Sequence, residues 1–290
     1  MSRHTPIRAI TGLLLALMLC LPLFASGETE SPFLAEGESI IQTDTTYKSQ
    51  NIAIEITTHR TCGTDVYVAD VWVKDLECLQ RIYGADKWGT EHETVPEIVE
   101  GTNAIIALTG DSAQNFTAGW VIGNGVVERD VRNRKRDLCI LYRNGEMVTL
   151  LAENVVHDQV AAEVESIWQT FLFGPTLLDE TGKAYHDFSD SNVRYANPRS
   201  VIGYYEPGHY CFVQIDGRST KSALEEGKKN GGMTLEETAA FMESLGCTAA
   251  YNLDGGRSSM LWYNGEIIST AADAKRHIGD MIILREPEQP

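Results

Sequence analysis

The sequence predicts an α+β fold: a mixed, mainly antiparallel sheet with several packed helices, in a single domain. Three observations indicate this class. Apolar and polar residues alternate from Ile52 to Thr57, which is typical of a half-buried strand. Asn124-Gly125 and Asn144-Gly145 each separate two apolar runs, as in hairpins. Thr234 and Glu237 form a capping box ahead of apolar residues at helical spacing.

The first 27 residues predict export. Arg3 and Arg8 precede an apolar run over residues 9–24, and small residues follow it, as in a secretory signal peptide; an uncleaved membrane anchor is the alternative. We therefore expect a secreted or cell-envelope protein. The predicted boundaries are a leader at 1–27, a linker at 28–45, a folded domain at 46–286 and a tail at 287–290.

Net charge restricts the partners. The chain carries −17, and removing the leader takes away two arginines and no acid, which leaves −19. Such a surface repels nucleic-acid phosphates and anionic lipids, so we expect no nucleic-acid partner and membrane contact only through the leader. An anionic substrate would need a local basic pocket. No oligomeric state is predicted.

Five cysteines follow the leader: Cys62, Cys78, Cys139, Cys211 and Cys247. They are odd in number and lack CxxC spacing, which argues against zinc. Either two disulfides at most form, with the pairing open, or the thiols are buried and free.

Along the chain, Val66 to Val73 alternates as a strand and places Asp70 among apolar neighbours, as a site residue or as a structural hydrogen-bonding group. Apolar residues at helical spacing predict helices over Asp75 to Gly84 and Asp158 to Gln169. Further strands are predicted over 103–108, 171–178 with an interruption at Gly174-Pro175, 201–205, 209–215 and 281–284, and a helix is predicted from Thr234 to Gly246.

Three predicted strands end in an acid beside glycine: Thr109-Gly110-Asp111, Asp216-Gly217-Arg218 and Asn252-Leu253-Asp254-Gly255-Gly256. Each could be no more than a tight Asp-Gly turn. Together they predict a ligand site, because glycine lets backbone approach a ligand and arginine matches phosphate in a bidentate manner. The candidate catalytic residues are Asp254, Asp216 and Asp111, and the candidate binding residues are Arg199, Arg218, Asn252, Gly255, Gly256, Ser258 and Arg257.

Other site classes lack their motifs. The chain has no GxGxxG, Walker loop, HExxH or GxSxG, and Asp254-Gly255-Gly256 lacks the alternating acids of an EF-hand. We expect the histidines to be structural or on the surface. No cofactor or metal is predicted, and calcium remains an alternative without a specific motif.

Three ordered segments carry a family resemblance: NPRSVIG, HYCFVQIDGR and GMTLEETAAFMESLGCTAAYNLDGGRSSMLWYNGEII, over residues 197–268. They resemble the phosphodiester glycosidase family, and the resemblance extends more weakly through VYVADVWVKD, AIIALTGD, GWVIGNGVV and FLFGPTLL. It implies an α+β fold with a surface cleft and hydrolysis of a sugar-1-phosphodiester. The chain departs from the family at Arg257, usually a third glycine, and at Thr109, often asparagine.

The functional hypothesis is cleavage of the glycosidic C–O bond of such a diester, in cell-envelope or extracellular glycan. Asp254 would be the nucleophile or general base, with Asp111 or Asp216 as its partner. Arg199 and Arg218 would stabilise the phosphate charge with the Gly255 and Gly256 amides, and Asn252 and Ser258 would position oxygen atoms. The alternatives are a phosphodiesterase that cleaves P–O and a noncatalytic glycan-binding envelope protein.

Overall fold

Antiparallel strands dominate the structure, a computed structural model that describes residues 31–89, 92–217, 231–269, 273 and 275–287. The strands are β1 Ile41–Gln42, β2 Thr46–Lys48, β3 Ile52–Thr61, β4 Thr64–Val73, β5 Leu79–Tyr83, β6 Ile106–Thr109, β7 Val121–Gly123, β8 Val126–Arg129, β9 Leu138–Tyr142, β10 Met147–Leu150, β11 Ile167–Phe171, β12 Arg199–Glu206, β13 His209–Ile215, β14 Ala249–Asn252, β15 Leu261–Tyr263, β16 Glu266–Ile267 and β17 Asp280–Leu284. The α-helices within the described residues are α1 Val95–Val99, α2 His157–Ala162 and α3 Leu235–Ser244.

The strands form four sheets. Seven pair in the order β1-β2-β3-β4-β13-β12-β14, five in the order β16-β15-β6-β17-β5, three in the order β10-β9-β11, and β7 pairs with β8. Every pairing between these strands is antiparallel. By contact, the chain from Pro32 onward is one unit.

The main core lies where the three larger sheets meet. Ile54 and Phe212 of the seven-stranded sheet, Leu108 of the five-stranded sheet and Leu141 of the three-stranded sheet belong to one buried cluster. Alternation along β4 explains this placement, since Val71 faces that cluster and neighbouring even-numbered residues face a second one. The sheets are therefore joined by apolar burial, which is the main driving force for folding.

Helix α3 covers the opposite face of the seven-stranded sheet. Leu235, Ala239 and Met242 pack on that face, as their helical spacing predicts. The Thr234 hydroxyl accepts from the Glu237 amide at 3.1 Å, and the Glu237 carboxylate accepts from the Thr234 amide at 2.9 Å, so the predicted capping box is confirmed. No helix in the described part of the chain is long and apolar enough to span a membrane.

The predicted α+β class is wrong. The described helices have only five, six and ten residues, and antiparallel sheets form the body of the protein. Two predicted helices account for the error. The stretch from Asp75 to Gly84 forms a short 3₁₀ turn and then β5. The stretch from Asp158 to Gln169 is α-helical to Ala162, has a 3₁₀ turn at Val164–Ser166 and then enters β11. Pairing with β17 and β9 overrides the helical spacing in these segments.

Both Asn-Gly hairpins are confirmed. Strands β7 and β8 turn at Asn124-Gly125, and β9 and β10 turn at Asn144-Gly145. Asn124 and both glycines have positive φ, the conformation that these turns require. Asp70 is not the buried acid that its neighbours predicted, because its side chain is 44% exposed and pairs with His209 at 2.6 Å.

Candidate active site

Three segments that carry predicted site residues meet at one edge of the seven-stranded sheet: the start of β12, the end of β13 and the end of β14. Arg199 opens β12 opposite Ile215 of β13, and Asn252 closes β14 opposite Val201 of β12. Because the neighbouring strands are antiparallel, the start of β12 lies beside the ends of β13 and β14. The acid that follows β13 and the turn that follows β14 thus lie on either side of Arg199.

The turn after β14 also joins this edge to the five-stranded sheet. The Asp254 amide donates to the Gly110 carbonyl at 3.0 Å, just beyond β6. The Thr109 hydroxyl donates to the Ser258 carbonyl at 2.5 Å and accepts from the Met260 amide at 3.0 Å. The third strand end, Thr109-Gly110-Asp111, therefore contacts the same turn.

Asp254 is the predicted catalytic acid that retains solvent access. It is intermediate in exposure, whereas Asp111 and Asp216 are both fully buried. Its Oδ2 accepts from the Ser112 hydroxyl and its Oδ1 from the Gly255 amide, both at 2.8 Å. Burial raises the pKa of Asp254 above its ordinary value, and the hydrogen bonds from Ser112, Ser258 and Gly255 offset part of that effect.

Asp111 is held in a buried ionic network. Its carboxylate accepts from the amides of Leu172 at 2.7 Å and Phe173 at 2.6 Å, and it lies 3.7 Å from the Arg81 guanidinium. Burial raises the pKa of Asp111 to about 6 despite the Arg81 charge. These contacts join the residues that follow β11 to the residue that follows β6.

Asp280 completes that network. Its carboxylate accepts from the Asp111 amide at 3.0 Å and the Ser112 amide at 2.7 Å, and it pairs with Arg81 Nε at 2.7 Å. Burial opposes the charge on Arg81, but Asp280, Tyr83 and Asp111 together outweigh it, and the pKa of Arg81 is raised. Ser112, held by these bonds, has a φ of 47° and directs its hydroxyl at Asp254.

Asp216 lies at the same sheet edge but inside the protein. Its amide donates to the Asp65 carbonyl at 2.9 Å, and its own carbonyl accepts from the Thr64 hydroxyl at 2.6 Å. The neighbouring Gly217 packs so tightly against Pro198 and Gly232 that an added Cβ would lie 2.9 Å from each. Arg218, the third residue of this motif, lies outside the described residues.

Arg199 is a buried cation held by neutral groups. It donates to the carbonyls of Met233, Val193 and Tyr195 at 2.8 Å each, and to Asn252 Oδ1 at 3.4 Å. Within the described residues, no carboxylate forms an ion pair with it. Burial lowers the pKa of Arg199 to about 10, so it stays protonated at neutral pH and leaves a positive charge at this edge.

Asn252 and the two glycines have internal hydrogen-bond partners in this structure. Asn252 Nδ2 donates to the carbonyls of Gly174 at 2.8 Å and Leu253 at 3.2 Å, so this amide orients the turn. The Gly255 amide is bound to Asp254, and the Gly256 amide donates to the Pro198 carbonyl at 2.8 Å. Because both glycine amides are engaged, they are not free anion donors in this conformation.

Arg257 is exposed and paired. Its guanidinium lies 2.5 Å from the Asp273 carboxylate, so in this structure its charge is paired within the protein. A function as phosphate ligand stays a prediction. Ser258 is buried, interacts with the Asp254 carboxylate, and accepts from Arg276 Nε at 3.4 Å. Arg276 is exposed, so the turn has an accessible cation beside the hydroxyl that contacts Asp254.

Four residues of this site were not predicted from the sequence: Arg81, Ser112, Arg276 and Asp280. Gly279-Asp280 offered a signal, because it is a fourth acid beside glycine, here at the start of an apolar strand. Arg81 had none, because its partners are distant in sequence. Among the described residues, no group of three or more histidine, cysteine or acidic side chains is arranged to hold a metal ion.

The chain is similar to known proteins in sequence and in structure. The phosphodiester glycosidase family model matches residues 101–285, which is more than half of the chain. The SPbeta prophage-derived uncharacterized protein YomE of Bacillus subtilis (strain 168) is 24% identical over 252 residues, covering 79% of this chain and 37% of that protein. The chain thus spans little more than a third of the length of this curated relative.

Three solved structures share the fold. The zebrafish N-acetylglucosamine-1-phosphodiester alpha-N-acetylglucosaminidase catalytic domain, auto-inhibited by its pro-peptide, has a TM-score of 0.63 at 18% identity, over 81% of this chain and 83% of that one. A hypothetical protein from Synechocystis has a TM-score of 0.57 at 14% identity, over 87% and 65%. A putative exported protein from Burkholderia pseudomallei K96243 has a TM-score of 0.52 at 15% identity, over 77% and 74%. On the match to residues 101–285, the chain belongs to the phosphodiester glycosidase family, which supports a glycosidase-type function.

Proposed function

We propose that this protein is an exported hydrolase that removes a sugar from a sugar-1-phosphodiester in cell-envelope or extracellular glycan. Family membership supports the reaction type. The observation that carries the proposal is Asp254, the candidate acid with solvent access, which lies at the junction of two sheets and interacts with Ser258, a hydroxyl that accepts from Arg276. Export rests on residues 1–27, which lie outside the described residues.

Asp254 acts as the general base in this proposal. Burial raises its pKa towards neutral pH, and a general base is most effective when its pKa lies near the working pH. Its carboxylate accepts hydrogen bonds from Ser112, Gly255 and Ser258, and because a carboxylate has about four acceptor positions, one remains for a water molecule. Those bonds fix the orientation of the carboxylate towards a water molecule at its remaining acceptor position.

Hydrolysis takes place in a single displacement at the anomeric carbon. Asp254 takes a proton from water, the water oxygen bonds to the anomeric carbon, and the bond from that carbon to the phosphate oxygen breaks. The electron pair stays on the phosphate, which leaves as a phosphomonoester. A phosphate oxygen is a weak base, so it needs stabilisation of its charge more than protonation by a second acid. This chemistry fits a site where Asp111 and Asp216 are buried.

Two arginines support binding of the phosphate. Arg276 is exposed beside Ser258 and offers a charge-assisted hydrogen bond to a phosphate oxygen. Arg199 contributes positive potential from inside the protein, since no carboxylate within the described part of the chain is paired with it. Arg218 stays a predicted ligand on its sequence motif alone.

A product-resolved assay with a panel of sugar-1-phosphodiesters tests the proposal. Asp254→Asn should lower kcat by about a hundredfold to ten-thousandfold, the usual contribution of a general base. Far-UV circular dichroism should be unchanged, because the amide keeps the shape of the carboxylate. The exposed Asp190→Asn is the matched control and should retain full activity. Full activity of Asp254→Asn would refute the assignment of the base.

Heavy-oxygen water distinguishes the alternatives. Label in the released sugar, with inversion at the anomeric carbon, is the expected result. Retention of configuration would make Asp254 a nucleophile and overturn the base assignment. Label in the phosphate would show P–O cleavage and a phosphodiesterase. Tight binding without turnover across the panel would show a glycan-binding protein.

A further inference from the structure

Two buried cysteines lie in contact outside the candidate active site. Cys211 Sγ of β13 lies 3.6 Å from Cys247 Sγ, in the turn between α3 and β14. The two residues are 0% and 3% exposed. The contact with Cys247, and after it burial, raises the pKa of the Cys211 thiol well above its ordinary value. The proposed reaction uses neither sulfur.

The surrounding residues make room for this pair. Gly203 of β12 lies beneath both sulfurs, and a Cβ added there would lie 2.6 Å from Cys211 Sγ and 2.8 Å from Cys247 Sγ. Only glycine leaves that space, because real Cβ atoms do not approach sulfur so closely. The Tyr205 hydroxyl interacts with both sulfurs. The fold thus brings the thiols together over one missing side chain.

We propose that Cys211 and Cys247 form a disulfide when the protein folds in an oxidising environment. A disulfide has an S–S length of about 2.05 Å, so the sulfurs must approach by about 1.5 Å, shared between two side chains. Two thiols lose two protons and two electrons, and a disulfide compound such as oxidised glutathione takes them up and becomes two thiols. Exchange passes through a mixed disulfide and takes place before the pair is buried.

The bond would tie together strands that lead to the active site. Strand β12 pairs with β13 on one side and β14 on the other, and the crosslink would pass over it at Gly203. It would lie towards the ends of β13 and β14 that are opposite Asp216 and Asn252. We therefore expect an effect on stability without a direct effect on catalysis.

Peptide mapping of the full chain tests the inference. The protein is unfolded in reductant, refolded in a glutathione redox buffer, denatured and alkylated with iodoacetamide, and then digested without reductant. The expected product is a peptide pair containing Cys211 and Cys247, lighter by two hydrogen atoms than the reduced peptides. Alkylation of both thiols, or a bond from either one to another cysteine, would overturn the proposal. Direct alkylation of the protein as purified checks that refolding did not create the bond.

Thermal unfolding gives an independent measurement. Reductant should lower the Tm of the oxidised protein by roughly 5–10 °C, as expected for a crosslink that closes a loop of this length. Reductant should not change the Tm of Cys247→Ala, while the matched control Cys62→Ser should respond like the parent protein. An equal response of the parent and Cys247→Ala would contradict a bond at this pair.

Discussion

Loss of the Ser112 hydroxyl should raise the pKa of Asp254 and shift the pH dependence of catalysis. The hydroxyl donates to Asp254 Oδ2 at 2.8 Å and thereby stabilises the ionised carboxylate. Ser112 has a φ of 47°, which glycine adopts without strain. Ser112→Gly therefore removes the hydrogen bond and keeps the backbone, so it is preferable to alanine here.

The size of the change in the pKa of Asp254 follows from the strength of its hydrogen bond with Ser112. A bond to a charged acceptor contributes about 1.5–3 kcal/mol to stability. Asp254 is partly exposed, so water replaces some of that contribution, and about 1.4 kcal/mol remains, which corresponds to about one pKa unit. The sign is upward, because the ionised form loses its stabilisation. A general base works only when ionised, so the acid limb of the kcat/KM profile should move about one pH unit higher.

The assay is kcat/KM against pH, combined with an NMR titration of the Asp254 carboxyl carbon. Asn264→Gly is the matched control. Asn264 also has a positive φ, at 49°, and it follows β15, whereas the turn that carries Asp254 precedes β15. The control profile should coincide with the parent profile. An unshifted acid limb in Ser112→Gly, with activity reduced equally at every pH, would refute the reasoning that Ser112 acts through the ionisation of Asp254.

Two further predictions concern the charged groups around the site. Asp280→Asn removes the nearer of the two carboxylates paired with the buried Arg81 charge and leaves only Asp111, at 3.7 Å; it should lower the free energy of unfolding by about 3 kcal/mol, measured by urea denaturation. A loss below about 1 kcal/mol would contradict that account of the ion pair. Arg276→Ala should raise KM for a phosphodiester substrate about tenfold through the loss of one charged contact, whereas Arg257→Ala, whose partner is Asp273, should change KM less than twofold. Equal effects of the two arginine variants would argue against binding of the phosphate by Arg276.

Local patterns predicted the elements whose causes are local. The Asn-Gly turns and the capping box of α3 involve residues within a few positions of each other, and all were confirmed. The helix expected from Asp75 to Gly84 failed because its apolar residues at 79 and 83 also fit a strand. Arg81 between them points inward too, since it meets Asp280, 199 residues away. No local pattern contains that partner.

The same distinction separates what could and could not be predicted about the site. Acids beside glycine at strand ends indicated Asp111, Asp216 and Asp254, and pairing in the sheet brings those segments together. Their different environments could not be predicted, because burial depends on which amides and cations the rest of the fold supplies. Asp111 receives its hydrogen bonds from residues 61 and 62 positions away, so only the structure shows it as a supporting residue.

Both departures from the family motif occur where this fold accommodates the substituted residue. Thr109 is fully buried, and its hydroxyl donates to the Ser258 carbonyl and accepts from the Met260 amide, so it stabilises the turn after β14. Arg257 stands in place of the third glycine with its side chain exposed and paired to Asp273, and its backbone does not need a positive φ. Neither residue is a hydrogen-bond donor to Asp254, whose donors are Ser112, Ser258 and Gly255. Arg257 therefore changes the exposed edge of the turn and Thr109 its buried support, while the hydrogen bonds of the Asp254 carboxylate come from other residues.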